Sequence, residues 1–132
     1  MKKYLPYIVF AVIAVAGYFL FQQTEPAVPG NKFFPPSEIK ASDVVVKITD
    51  KGFEPSTLDI KRDQRVVFVN ETSDFAWPAS NPHPTHTIHP AFDPLEPLAA
   101  GEAWAFVFEE AGSWGMHDHL KPGKRGMIRV TD

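Results

Sequence analysis

Five histidines, at positions 83, 86, 89, 117 and 119, fall in two short segments of a 132-residue chain and nowhere else in it. Histidines that serve only to meet water would be scattered, and these are not. His83 precedes His86 by three residues in a proline-rich stretch, a spacing at which two ligands can share one ion. His117 and His119 flank Asp118, and a strand sends alternate residues to opposite faces. A regular strand therefore turns either Asp118 or the His117/His119 pair toward His86, and a strand that ends at Asp118 frees His119 to swing in. Imidazole and carboxylate donors suit Cu(II) first and Zn(II) second. The candidate metal set is His86, His119, His117, His83 and Asp118. The competing explanation needs no metal: His83 and His89 decorate a polar loop, His117 and His119 are neighbours by chance, and Lys121 or Lys124 pairs with Asp118.

The composition removes other chemistries. There is no cysteine, so there is no disulfide, thiolate ligand or cysteine nucleophile. A formal net charge of −3 with no basic run argues against a nucleic-acid partner. No nucleophile elbow, phosphate loop or carboxylate pair is present, which leaves an enzyme the least supported class.

The elements that must position the histidines read as strands. Val44–Thr49 is apolar and β-branched, and Asp50-Lys51-Gly52 supplies a turn. Leu58-Asp59-Ile60 alternates, Arg65–Asn70 is a buried-looking run, and Trp104-Ala105-Phe106-Val107-Phe108 sets three aromatics on one face. Trp114 and Met116 point one way, and Met127–Val130 closes the set. Short strands at this spacing, with no helical periodicity, predict an antiparallel sandwich or barrel. The prolines between Pro78 and Pro97 predict a long, rigid surface loop rather than disorder.

Several of these segments, in this order, resemble the cupredoxin family of plastocyanin- and azurin-like proteins. Gly52-Phe53-Glu54-Pro55, then Val66–Asn70, then His86-Thr87-Ile88, then Ala100-Gly101-Glu102 before the aromatic strand, and Ala111-Gly112-Ser113-Trp114 carry the likeness, which spans about Asp43–Asp132. The resemblance implies an all-β Greek-key β-sandwich with a metal site at one end, between two loops. It also implies four ligands: a loop histidine, a cysteine, a second histidine and a methionine. His86 matches the loop histidine, but Asp118 stands where the cysteine belongs, Lys121 where the second histidine belongs and Lys124 where the methionine belongs. Without a thiolate the site cannot be a blue copper centre. The stretch from Phe75 to Thr85 is longer than the family's usual step to its histidine. Its three prolines suit a preformed rim, with Phe75 and Trp77 either capping the site or padding the core.

The N-terminus predicts a membrane anchor. Met1-Lys2-Lys3 is basic, and Leu5–Phe21 carries no charge, just long enough for a hydrocarbon core of ~30 Å. A cleaved signal peptide competes with this reading, but Gly17–Gln23 lacks a small-x-small cleavage pattern. Lysines before the apolar run leave the N-terminus cytoplasmic and the remainder outside. The expected organisation is an anchor over residues 1–21, a proline-rich linker over 22–42 and the cupredoxin-like domain over 43–132. The sequence thus points to a membrane-anchored, extracytoplasmic (periplasmic or cell-surface) domain that binds copper without thiolate, for copper handling or as a redox accessory. The alternative is a metal-free β-sandwich that meets another envelope protein.

Overall fold

The computed structural model describes residues Lys32–Asp132, which form one compact unit. The anchor expected at residues 1–21 lies outside the described residues. Among the described residues no helix is long and apolar enough to cross a membrane.

Among the described residues, nine strands make two sheets. They are β1 (Phe33–Phe34), β2 (Val44–Thr49), β3 (Gly52–Glu54), β4 (Thr57–Lys61), β5 (Arg65–Asn70), β6 (Pro78–Ser80), β7 (Ala103–Val107), β8 (Gly112–Asp118) and β9 (Lys121–Thr131). One sheet has the order β1-β7-β5-β2-β3 and the other β4-β9-β8-β6. This is the all-β sandwich that the strand pattern predicts, with two differences. The pairing is mixed: β2 with β5 and β4 with β9 run parallel, the rest antiparallel. Alternation within a strand sets which face is buried but says nothing about the direction of its neighbour, so the sequence could not show this. The domain also begins before Asp43. Phe33 and Phe34, assigned by sequence to the linker, pair with Trp104 and Ala103, and Phe33 is buried in the core. Two apolar residues between polar ones and prolines are too short a run to show a period.

Burial drives the packing. Val66, Val67 and Phe68 of β5, Ile48 of β2, Met116 of β8 and Ile128 of β9 are fully buried. Each such side chain contributes about 1.5–3 kcal/mol by leaving water. Two fully buried residues, Phe92 and Leu98, come from the long segment between β6 and β7 rather than from a strand. Phe92 stacks on Trp104 with ring centroids 5.8 Å apart and an interplanar angle of 14°, and it also meets Phe68, Phe106 and Phe108. Leu98 exchanges backbone hydrogen bonds with Ala76. The proline-rich loop is therefore nailed to the core at Phe92 and Leu98, and with β6 paired to β8 before it, its histidine-bearing part is held at both ends.

Candidate metal centre

Four of the five histidines meet at one place. The ligand nitrogens of His83, His86, His117 and His119 all lie within 4.8 Å of one another. His86 and His117 are buried, His119 is half-buried and His83 is exposed, so the group has a protein side and a solvent side.

Each ring arrives by a different local device. His117 is the penultimate residue of β8, and His119 lies just past its end, in the turn that follows. The strand register slips between His117, which faces Arg125 of β9, and Asp118, which faces Lys121. Beyond that slip the His119 N–H donates to the Trp77 carbonyl at 2.7 Å, which fixes the turn that brings its ring in. His86 has a φ of 55°, a left-handed conformation uncommon outside glycine and found most often where a site requires it. His83 follows β6, whose residues pair with the end of β8 (Ala79 with His117).

The rings are oriented from behind. His86 Nδ1 lies 2.5 Å from Asp93 Oδ2, and His117 Nδ1 lies 3.0 Å from Asn81 Oδ1. With acceptors at both Nδ1 atoms, the protons sit there and both Nε2 lone pairs point into the group. This is the support that metal-bound histidines characteristically receive. Asp93 is held in turn by the Trp77 indole N–H at 2.8 Å and the Leu95 backbone N–H at 2.8 Å. Trp77 then packs its ring on His119, centroids 4.7 Å apart. Asn81 needs room, and Gly115 provides it: a Cβ there would come within 2.5 Å of Asn81 Nδ2.

Within the group the rings form two close pairs. His86 Nε2 is 3.0 Å from His119 Nδ1, and His83 Nδ1 is 3.3 Å from His117 Nε2. Nitrogens bound to one ion at about 2.0–2.1 Å stand roughly 3–4 Å apart, so the close pairs already have the needed spacing. The wider separations, up to 4.8 Å, close with small rotations of the rings. Four neutral nitrogens and no thiolate match the preferences of Cu(II) and Zn(II), so the residues fit such an ion.

The electrostatics favour the ligating, neutral form of His117 and His119. His117 is lowered to about 4, first by burial and then by His86, His83, His119 and Arg125 around it. His119 is lowered as well, by burial and by His86 and His83. Burial pushes the Asp93 carboxyl up, but hydrogen bonds from His86, Leu95 and Trp77 outweigh it, and its net shift is down.

The remaining residues singled out by sequence lie elsewhere. Asp118, a candidate ligand by sequence, is outside the group of four. Its buried carboxylate accepts the Trp77 and Leu120 backbone N–H groups on Oδ1, at 3.0 and 3.1 Å. Oδ2 is buried with no hydrogen-bond partner among the described residues. Asp118 therefore ties the two loops together. Neither lysine is its hydrogen-bond partner: Lys121 pairs with Asp74 at 2.9 Å, and Lys124 donates to the Thr49 carbonyl at 2.6 Å. His89 sits among Phe106, Phe108 and Trp114, apart from the four. Trp77 lies against the site, whereas Phe75 is exposed. Sequence reasoning missed Asp93 and Asn81. Asn81 lies two residues before His83, but no spacing rule ties a carboxylate seven residues beyond His86 to its ring.

No protein-family model matches the chain, and a search of curated proteins finds no relative by sequence. Solved structures do resemble it. An oxidised proline-to-alanine mutant of amicyanin superposes with a TM-score of 0.66 at 22% identity, covering 78% of this chain and 95% of that one. The Cu(I) form of a methionine-to-alanine mutant of amicyanin gives 0.62 at 20% identity, with the same coverage of 78% and 95%. A purple cupredoxin from Nitrosopumilus maritimus gives 0.60 at 23% identity, covering 67% of this chain and 100% of that one. Two packed sheets, a histidine cluster at the end of β8 and these likenesses agree: the chain has the cupredoxin fold, in a form without cysteine.

Proposed function

We propose that this domain binds one copper ion through His83, His86, His117 and His119, and that it serves as an extracytoplasmic copper-holding or redox accessory protein tethered to the membrane by residues 1–21. The observation that carries the reading is the convergence of four ring nitrogens within 4.8 Å, with both Nε2 lone pairs of His86 and His117 freed by acceptors behind them. A solved neighbour of this fold is a Cu(I) form of amicyanin, which favours copper over zinc as the resident ion.

When bound, the ion would supply a one-electron redox couple or a Lewis-acid centre. The chain's own residues do the rest. Asp93 and Asn81 hold protons on the outward nitrogens of His86 and His117. Trp77 covers His119 and excludes water from that side. His83, exposed, leaves one flank of the set open to solvent. Asp118 supports the ligand loops through Oδ1, which accepts the Trp77 and Leu120 backbone N–H groups. Tethering rests on the uncharged run Leu5–Phe21 behind Lys2 and Lys3.

Titration of the soluble domain with Cu(II) and Zn(II) tests the reading. The expected result is uptake of one equivalent of Cu(II), with weak ligand-field absorption and no intense charge-transfer band, since no thiol exists in the chain. His86→Ala and His119→Ala should each weaken binding by more than about tenfold, and His89→Ala should leave it unchanged. Undiminished binding in both site variants would remove the site, and the envelope interaction module would take its place. Fractionation of the full chain with membranes, N-terminus intact, tests the tether.

A further inference from the structure

A cavity of about 230 Å³ opens directly beside the histidine group, lined by Asn81, Pro82, His83, His117, Pro122 and Arg125. Its polar character is unusual for its position. Pro82 and Pro122 offer rigid walls with no N–H. The Asn81 amide oxygen is already engaged with His117. The one charged group is Arg125, which sits directly across the β8–β9 hairpin from His117. Cross-strand partners project from the same face of a sheet, so the guanidinium and the His117 ring share a side. Arg125 Nε donates to the Pro122 carbonyl at 3.3 Å, which steadies the head over the cavity. Among the described residues neither terminal guanidinium nitrogen has a hydrogen-bond or ion-pair partner.

An unpaired guanidinium at the open flank of a ligand set is a poor neighbour for a cation, whose charge it repels, unless an anion joins them. We propose that this cavity binds a small monovalent anion, held by Arg125 and lying next to the open flank of the metal set at His83 and His117. The inference rests on the copper reading above. Guanidinium recognition of an anion is charge-assisted and directional, and a cavity of about 230 Å³ has room for a small anion with its waters. The other cavity of similar size, lined by His89, Glu109 and Glu110 among others, carries carboxylates and repels the same ligand. The consequence is a site accessible to exogenous ligands, unlike a closed electron-transfer centre.

Azide is the probe. The soluble domain is first loaded with one equivalent of Cu(II), and uptake is measured by competition with a chelator. Azide is then titrated while the electron paramagnetic resonance spectrum and the azide-to-copper absorption are followed. The expected result is a saturable change that weakens about tenfold in Arg125→Gln, the loss of one hydrogen bond to a charged group. Arg125→Lys should recover part of it, and copper affinity should stay within about threefold in both variants. Copper uptake with no azide response, or equal azide affinity in wild type and Arg125→Gln, would overturn the anion site alone. Failure of copper uptake in the wild type would overturn the metal reading, and this inference with it.

Discussion

The Asp93 carboxylate accepts from two sides of the same cluster: His86 Nδ1 approaches Oδ2 at 2.5 Å while the Trp77 indole N–H donates to Oδ1 at 2.8 Å. One half-buried carboxylate therefore sets the orientation of a candidate ligand and of the aromatic ring that covers another, His119. The connection runs within a single loop, because Asp93 directly follows Phe92, whose ring is locked in the core. Packing in the sandwich thereby reaches the ring nitrogens through one residue.

Removing that carboxylate should weaken the metal site without touching a ligand. Asp93→Ala leaves His86 free to rotate or to adopt the other tautomer, and such supporting losses cost ~10–100-fold in metal affinity. Asp93→Asn keeps one carbonyl oxygen for its three donors, His86, Trp77 and Leu95, and should lie between Ala and wild type. Competition with a chelator of known affinity reads both variants. Equal copper affinity in Asp93→Ala and wild type would show that His86 is oriented by something else.

The depressed His117 and His119 set a pH dependence with a definite sign. His117 is lowered from 6.5 to about 4, so between those values the unfolded chain binds a proton that the folded chain refuses. Stability is therefore full above about pH 6.5, declines as pH falls toward 4, and loses nothing further from this group below that. His119 adds a smaller loss in the same direction. Asp93, lowered in the fold, adds one at more acid pH still, below its ordinary 3.8. Urea midpoints of the metal-free domain at pH 7.5, 5.5 and 4 should fall in that order, and the decline should be shallower in His117→Gln. A flat profile between pH 7.5 and 5.5 would contradict the burial assigned to these rings.

How much of this could be read from the residues differs by level. The strand set was legible because Val44–Thr49, Arg65–Asn70 and Trp104–Phe108 carry β-branched or aromatic residues in runs that only a sheet buries well. That His119 could swing in beside His117 followed from a strand ending at Asp118, which is where β8 ends. What stayed hidden depends on chain closure over long separations. Asp93 reaches His86 because Phe92 is drawn into the core, and no local pattern marks Phe92 as a core residue among prolines. Arg125 joins His117 through the register of the hairpin, which slips at the next residue. Asp118 was ambiguous for a physical reason: a carboxylate between two histidines suits a ligand and a loop tie equally until its Oδ1 partners are known.

If Phe92 anchors the loop, truncating it should cost both stability and site. Phe92 is fully buried against four aromatic rings, so Phe92→Ala should destabilise the domain by about 3–5 kcal/mol, read from denaturant midpoints. Phe92→Leu should cost less, because it leaves a smaller cavity. Copper affinity in Phe92→Ala, measured where the domain is still folded, should fall with the freedom given to His86 and Asp93. Loss of stability with copper affinity intact would mean that the loop holds its shape without its anchor.

Gly115 offers the sharpest separation of site geometry from general stability. Its missing Cβ makes room for Asn81 Nδ2, which a side chain would meet at 2.5 Å, and Asn81 Oδ1 is what orients His117. Gly115→Ala should push the amide aside and weaken copper binding by about tenfold, as other supporting losses do. Asn81→Ala should give a similar loss by deleting the acceptor outright. In the double variant the obstruction has nothing to strike and the acceptor is already gone. The two effects should therefore not add, and Gly115→Ala should change affinity little in the Asn81→Ala background. Residues acting through one contact are expected to show such coupling, whereas independent sites add within about 0.3–0.5 kcal/mol. Additive losses across this cycle would show that Gly115 and Asn81 reach the metal site by separate routes, and His117 would need another support.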